Sequence, residues 1–166
     1  MKNRKDVGRQ VLMLVIGVSV IVPLGIAQSD PLNVTANVLA TCELGTFADV
    51  AFGDLTPGAG VDEPATGTIE WRCSNNASAD IAIDNGDNGN RTMTGPTLGD
   101  LLPYQLYTDS PGGNVWSDTG TDVTVTGTGM ASFTSVSVFG QIAAGAYDDV
   151  EFGAYSDTVE VTITIN

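Results

Sequence analysis

The sequence predicts an all-β fold, one β-sandwich or barrel domain, and three observations carry that prediction. Short runs of strictly alternating apolar and polar residues recur along the chain, 20 glycines and 7 prolines help to mark the breaks between them, and no stretch shows helical periodicity. Strands at this spacing on 166 residues leave room for one modest core, with no internal repeat and no long linker.

The first residues form a separate unit. Lys2, Arg4, Lys5 and Arg9 precede the uncharged run "VLMLVIGVSVIVPLGIA" (residues 11–27), which closes on Gly25-Ile26-Ala27, the small-x-small pattern that a signal peptidase accepts. Residues 1–27 are read as a cleaved export signal. An uncleaved anchor is the alternative, because the run comes close to the length of a membrane span, but Pro23 and the small residues favour cleavage. No Cys follows the run, which argues against lipoprotein processing.

Removing the leader sharpens the charge. Only Arg72 and Arg91 remain against 19 acidic residues in 28–166, a net charge of -17. Such a surface is a poor partner for nucleic acid or anionic membrane. Dispersed acids keep an exported protein soluble; divalent-cation binding is the sharper alternative.

The elements follow in order. After residues 32–42 come "ADVAF" (48–52), "GTIEWRC" (67–73), "ADIAI" (79–83), "LLPYQLYTD" (101–109), "DVTVT" (122–126), "SVSVFGQI" (135–142) and a terminal strand. In that last strand Val159, Val161, Ile163 and Ile165 alternate with Thr158, Glu160, Thr162 and Thr164. Its inner face is apolar, and no hairpin turn or returning strand follows Asn166. The backbone groups of its far edge need a partner that this stretch of sequence does not itself supply.

Cys42 and Cys73 are the only cysteines, and an exported pair in an oxidising space most often forms a disulfide. A redox pair or a metal site is less attractive, since there is no C-x-x-C and no His to complete a ligand set. With no His, and no Lys after the leader, Ser-His-Asp, Cys-His and Ser-Lys systems are all missing. An enzyme would rely on carboxylates alone. Asp148-Asp149 are adjacent and expected in a solvated loop, so no catalysis and no cofactor are expected.

"DNGDNGN" (84–90) offers Asp and Asn oxygens between glycines, but it lacks the register and closing Glu of a helix-loop-helix calcium site and the repeats of a β-roll. A tight-turn loop is the favoured reading, and no metal site is assigned. Trp71, Trp116 and the aromatics of "LPYQLY" are read as core rather than as a stacking surface for a ligand.

Taken together, the leader, the first Cys, Phe52-Gly53 with Pro57, the second Cys, "RTM" (91–93), "LPYQLYTD", a Trp, "VFGQI" and the closing "GAYSDTVEVTITIN" resemble the spore coat protein U domain family. The family includes major subunits of archaic chaperone-usher pili. The most specific segments are L-x-Y-x-L-Y-x-D (102–109) and G-x-Y-x-D-T-V-x-V-T-I (153–163). Phe139 stands where the family's Tyr-Gly pair has Tyr.

The resemblance implies an immunoglobulin-like β-sandwich lacking its last strand, completed by a donor strand from another chain. It places a donor segment at residues 28–36 and the sandwich at 37–166, the division near Ala36 and Asn37. Leu32, Val34 and Ala36 are the donor residues, with Val38 and Ala40 on the same parity. The alternative is that this stretch is merely the domain's own first strand. Val159, Val161, Ile163, Ile165 and Asn166 would border the acceptor groove and meet a periplasmic immunoglobulin-like chaperone, which anchors the terminal carboxylate.

The implied partners are identical or related subunits head to tail, that chaperone and an outer-membrane usher. Export to the periplasm would lead to a surface fibre for adhesion or biofilm formation. The competing reading is a secreted coat-associated β-sandwich that binds a cation or glycan.

Overall fold

The computed structural model describes Gly17 and residues 25–97, 99–117 and 123–166. Most of the expected export signal, and Asp122 of the expected strand at 122–126, lie outside these residues. The chain divides into an N-terminal piece reaching Asn37 and a body, Val38–Asn166. In the N-terminal piece residues 25–37 carry no regular secondary structure, and Leu32 and Val34 are both 88% exposed.

The described residues of the body hold nine strands: β1 (Cys42–Ala48), β2 (Glu63–Cys73), β3 (Ser78–Ile83), β4 (Thr92–Thr94), β5 (Leu101–Pro103), β6 (Gln105–Tyr107), β7 (Val123–Thr126), β8 (Thr134–Ile142) and β9 (Val161–Ile165). They form an antiparallel sheet in the order β1-β2-β8-β6, a second in the order β7-β3-β9, and a small β4-β5 pair. No helix occurs among the described residues.

Alternation places the core between the two larger sheets. On β2, Ala65, Ile69, Trp71 and Cys73 are buried; on β3, Ala79, Ile81 and Ile83; on β8, Val138 and Ile142. Residues of the other parity face outward, as a strand with one dry face requires. Trp116 is fully buried, and its indole N–H donates to the Ile81 carbonyl at 3.0 Å. A ring of that size contributes most when its one polar atom is satisfied, as here. Trp71 is buried as well, so both tryptophans belong to the core.

Cys42 and Cys73 stand opposite each other in the β1–β2 register and are joined by a disulfide. The same pairing contains a bulge: Leu44 faces Trp71 and Phe47 faces Ile69, so β1 carries one extra residue. Gly45 sits in that bulge under the Phe133 ring. A Cβ there would lie 2.8 Å from Phe133 Cδ1 and 2.9 Å from Glu70 Cβ.

Three expected elements differ. Residues 32–41 form no strand, and the first strand begins at Cys42. Residues 49–52 of the expected "ADVAF" strand have no pairing partner among the described residues, although Val50 and Phe52 are half-buried and pack against the core as alternate strand residues would. The run at 101–109 is broken into β5 and β6, which join different sheets. Pro103 has no N–H to offer a ladder, and the Tyr104 N–H turns to the Arg91 carbonyl at 2.9 Å. This contact accompanies β4, a strand that the alternation pattern did not predict.

Candidate functional site: a groove between two strand edges

Residues 49–55 form one bank of the groove. They follow β1, and their backbone makes no hydrogen bond among the described residues. What holds them is side-chain packing over two glycines. Cβ atoms built on Gly67 and Gly140 would lie 2.8 Å and 2.5 Å from the Val50 methyls, and the one on Gly140 would lie 2.9 Å from Phe52 Cζ. Gly67 and Gly140 therefore leave the inner face of the first sheet low enough for Val50 and Phe52 to cross it.

The opposite bank is residues 155–161 and the β9 edge. The N–H of Asn166 donates to the Ser78 carbonyl at 3.0 Å, and that of Asp84 donates to the Glu160 carbonyl at 3.0 Å. Even-numbered residues thus direct their backbone groups toward β3 and the loop after it. In an antiparallel ladder the odd-numbered residues must point theirs the other way. Val159, Val161, Ile163 and Ile165 consequently present N–H and C=O groups to an edge where no strand pairs among the described residues. Their side chains turn inward, yet Val159, Val161 and Ile163 are only half-buried and Ile165 is 42% exposed.

Between the banks lie two adjoining hollows of about 610 and 660 Å³. They share Val50, Ala51, Phe52, Met93 and Tyr155. Ile69, Ile83, Leu106 and Val138 floor the first; Leu102, Ile142 and Tyr147 floor the second. This is core lining without core filling, because strand-borne apolar side chains meet no opposing layer over the groove.

Polar contacts fix the second bank. Asp157 takes the odd parity of the inward row, and its Oδ2 accepts the Tyr104 hydroxyl at 2.6 Å. Oδ1 accepts the N–H groups of Asp87 and Thr158, each at 3.0 Å. Asp84 Oδ1 accepts the N–H groups of Gly86 at 3.0 Å and Glu160 at 2.8 Å. Carboxylates of "DNGDNGN" and the terminal strand thereby knit the loop at 84–87 to residues 157–160. Gly86, with φ of 78°, is required here, since a Cβ would lie 2.0 Å from Asp157 Oδ2.

Beneath them Arg91 is 3% exposed in a left-handed conformation, φ 57°, and one guanidinium nitrogen donates to the carbonyls of Ile83 and Trp116, each at 3.1 Å. Burial, then the hydrogen bond to Asp157 and the Asp157 charge, hold the Tyr104 hydroxyl far above its ordinary range; Arg91 opposes the shift and Asp84 reinforces it. Tyr155 is pushed up to about 12 by burial, its hydrogen bond to Asp100, and the charges of Asp100 and Glu151.

The sequence-predicted residues fall as follows. Val159, Val161, Ile163 and Ile165 line the second bank or continue its edge, and Asn166 pairs with Ser78. Leu32, Val34 and Ala36 are exposed and carry no regular structure. Cys42 and Cys73 are bonded to each other. Asp148 and Asp149 are exposed loop residues, and Asp148 Oδ1 accepts the Gly58 N–H at 2.8 Å. Among the described residues no group of three or more His, Cys, Asp or Glu is placed to hold a metal ion. Sequence reasoning missed the Tyr104, Asp157 and Arg91 cluster and the Gly67–Gly140 bed. The "LPYQLYTD" and "RTM" segments contained part of the signal.

Sheet order and groove together define the class: an incomplete immunoglobulin-like β-sandwich, lacking a strand between β1 and β9. The chain belongs to the spore coat protein U domain family, whose model matches residues 28–162. A solved structure, the CsuC–CsuE chaperone–tip adhesion subunit pre-assembly complex from archaic chaperone-usher Csu pili of Acinetobacter baumannii, contains a chain similar to this one, at 24% identity and a TM-score of 0.52. The match covers 76% of this chain but only 40% of that one, and the likeness is one of fold. No curated protein matches.

Proposed function

We propose that the protein is a structural pilin subunit, polymerised by donor-strand complementation into a surface fibre that serves adhesion or biofilm formation. One observation carries the reading: two facing banks, residues 49–55 and 155–165, offer backbone groups that are unpaired among the described residues, on either side of an apolar trough. An extended strand with apolar knobs at every second residue satisfies both at once. Leu32, Val34 and Ala36, continued by Val38 and Ala40, supply such a row, and all of them are exposed.

A segment given to the next copy and a groove filled by the previous one make a heterologous contact that does not close. Filaments are its natural product. Before assembly, the banks and the β9 edge need a temporary partner, the role assigned to a periplasmic immunoglobulin-like chaperone, with an outer-membrane usher for export. Asp84 Oδ1 and both carboxylate oxygens of Asp157 are engaged in binding the loop to residues 157–160, which weakens the cation-binding alternative.

The test is a chain lacking residues 28–35, co-expressed with the full chain. It keeps the groove but loses Leu32 and Val34, so it should cap growing fibres and shorten them in proportion to its share. Fibres of normal length would refute the donor assignment.

A further inference from the structure

The outer face of the β1-β2-β8-β6 sheet carries a feature that fibre assembly through the groove leaves unused. Thr66 pairs with Phe139, Phe139 with Tyr107, and Tyr107 with Val115, so four residues form one transverse row. Buried neighbours Ala65, Val138, Leu106 and Trp116 place all four on the outward parity. The flanking outward pair is Thr68 and Ser137. None of these six residues is charged, in a chain whose residues 28–166 hold 19 acids and two arginines.

Charge is what selects the occupant. The outer face of the other sheet carries Asp80 and the adjoining strand segment carries Glu160, and elsewhere acids are spread over the exposed loops. Two copies of this anion meet with least repulsion across the uncharged row. Acids stand at its rim: Glu70 is the next outward residue of β2 after Thr68, and Asp62 accepts the Gln141 amide at 2.7 Å.

We infer that this face is a lateral contact between subunits of neighbouring fibres, the same uncharged row packing on a second copy of itself. The inference rests on the fibre reading above. With strands about 4.8 Å apart and outward residues about 6.6 Å apart along each strand, the six residues offer roughly 200 Å² per copy. That is well below the roughly 800 Å² per partner of a stable dimer. A single pair of subunits therefore stays apart, and the contact acts only when repeated along two fibres. Screening of the rim acids makes it stronger in salt.

The experiment compares assembled fibres of wild type, Thr66→Glu with Val115→Glu, and Thr126→Glu on the other sheet, by electron microscopy and low-speed sedimentation between 20 mM and roughly 500 mM NaCl, a range over which the Debye length falls several-fold. Wild-type and Thr126→Glu fibres should gather into side-by-side bundles as salt rises. Thr66→Glu with Val115→Glu should give fibres of normal length that stay single, with at least a tenfold loss of sedimented material. Single wild-type fibres at every salt concentration, or bundles that survive the double substitution, overturn this inference alone. Single fibres retained on a neutral polysaccharide assign the face to a glycan and overturn it too. Absence of fibres from the wild type overturns the fibre reading and this inference with it.

Discussion

The Tyr104 hydroxyl reaches across the floor of the groove to Oδ2 of Asp157, 2.6 Å away, and ties the junction of β5 and β6 to the segment of the second bank that precedes β9. Because the same carboxylate receives two backbone N–H groups, Tyr104 helps to fix the position of the whole segment 157–160. Tyr104→Phe removes one charge-assisted hydrogen bond and should cost about 1.5–3 kcal/mol. Calorimetry should record a lower Tm, and groove occupancy by a synthetic peptide of residues 28–41 should weaken in parallel. An unchanged Tm with unchanged peptide affinity would show that the contact does not position the bank.

Alkaline pH should loosen the same region. The folded state holds the Tyr155 proton up to about pH 12, whereas the ordinary value is 10.0. A raised value for a phenol means that the fold binds the proton more tightly, so its stabilisation is complete below the unfolded value and is lost as pH rises from there toward about 12. Chemical denaturation between pH 9 and roughly 12 should show falling stability, and Tyr155→Phe should flatten the slope. A slope identical in the variant would exclude Tyr155 as its source.

Gly140 should accept no side chain. A Cβ there would lie 2.5 Å from Val50 Cγ1, so Gly140→Ala must push the first bank away from the sheet. Overpacking of this kind costs about 1–3 kcal/mol. The Tm should fall, and Gly140→Ala with Val50→Ala should recover part of the loss; no recovery would mean that Val50 is not what the methyl meets.

The β9 parity predicts opposite fates for neighbouring residues. Ile163→Asp places a charge on the inward row beside the core and should abolish soluble subunit, while Thr162→Asp on the outward face should be mild. Soluble yield from periplasmic extracts measures both. Equal yields would remove β9 from the border of any acceptor groove.

Much of this architecture is legible in the sequence because alternation reports burial. Ile69, Trp71 and Cys73, Ala79, Ile81 and Ile83, and Val138 and Ile142 fall where a period of two places them. Alternation does not report pairing. Val50 and Phe52 show strand parity because they pack over Gly67 and Gly140, yet nothing local reveals that residues 49–52 lack a neighbour. Similarly, the beginning of β1 at Cys42 is hidden within a continuous apolar row from Leu32 to Ala40. The groove's polar support was illegible for another reason: Tyr104 and Asp157 are 53 residues apart, and only the fold brings them together.

Reduction should expose the weight of the Cys42–Cys73 bridge. It closes a loop with a sequence separation of 31, which the chain-entropy relation converts to about 3–4 kcal/mol. Replacing both with Ser should lower the Tm by several degrees and cut fibre yield. An unchanged Tm after reduction and thiol blocking would leave the bridge without a stabilising role.

The place of that bridge also has a mechanical meaning. If residues 28–36 are gripped by the next subunit, a pull along the fibre reaches the body's first strand at Cys42. Hydrogen bonds of an edge strand loaded from its end give way one after another, like a zip. Here the first rung is covalent, and Cys73 lies at the end of β2, which is paired on both sides within its sheet. Load arriving at Cys42 is therefore handed directly to an interior strand and spread over two ladders acting in shear, so that a stretched fibre should yield elsewhere before β1 peels away.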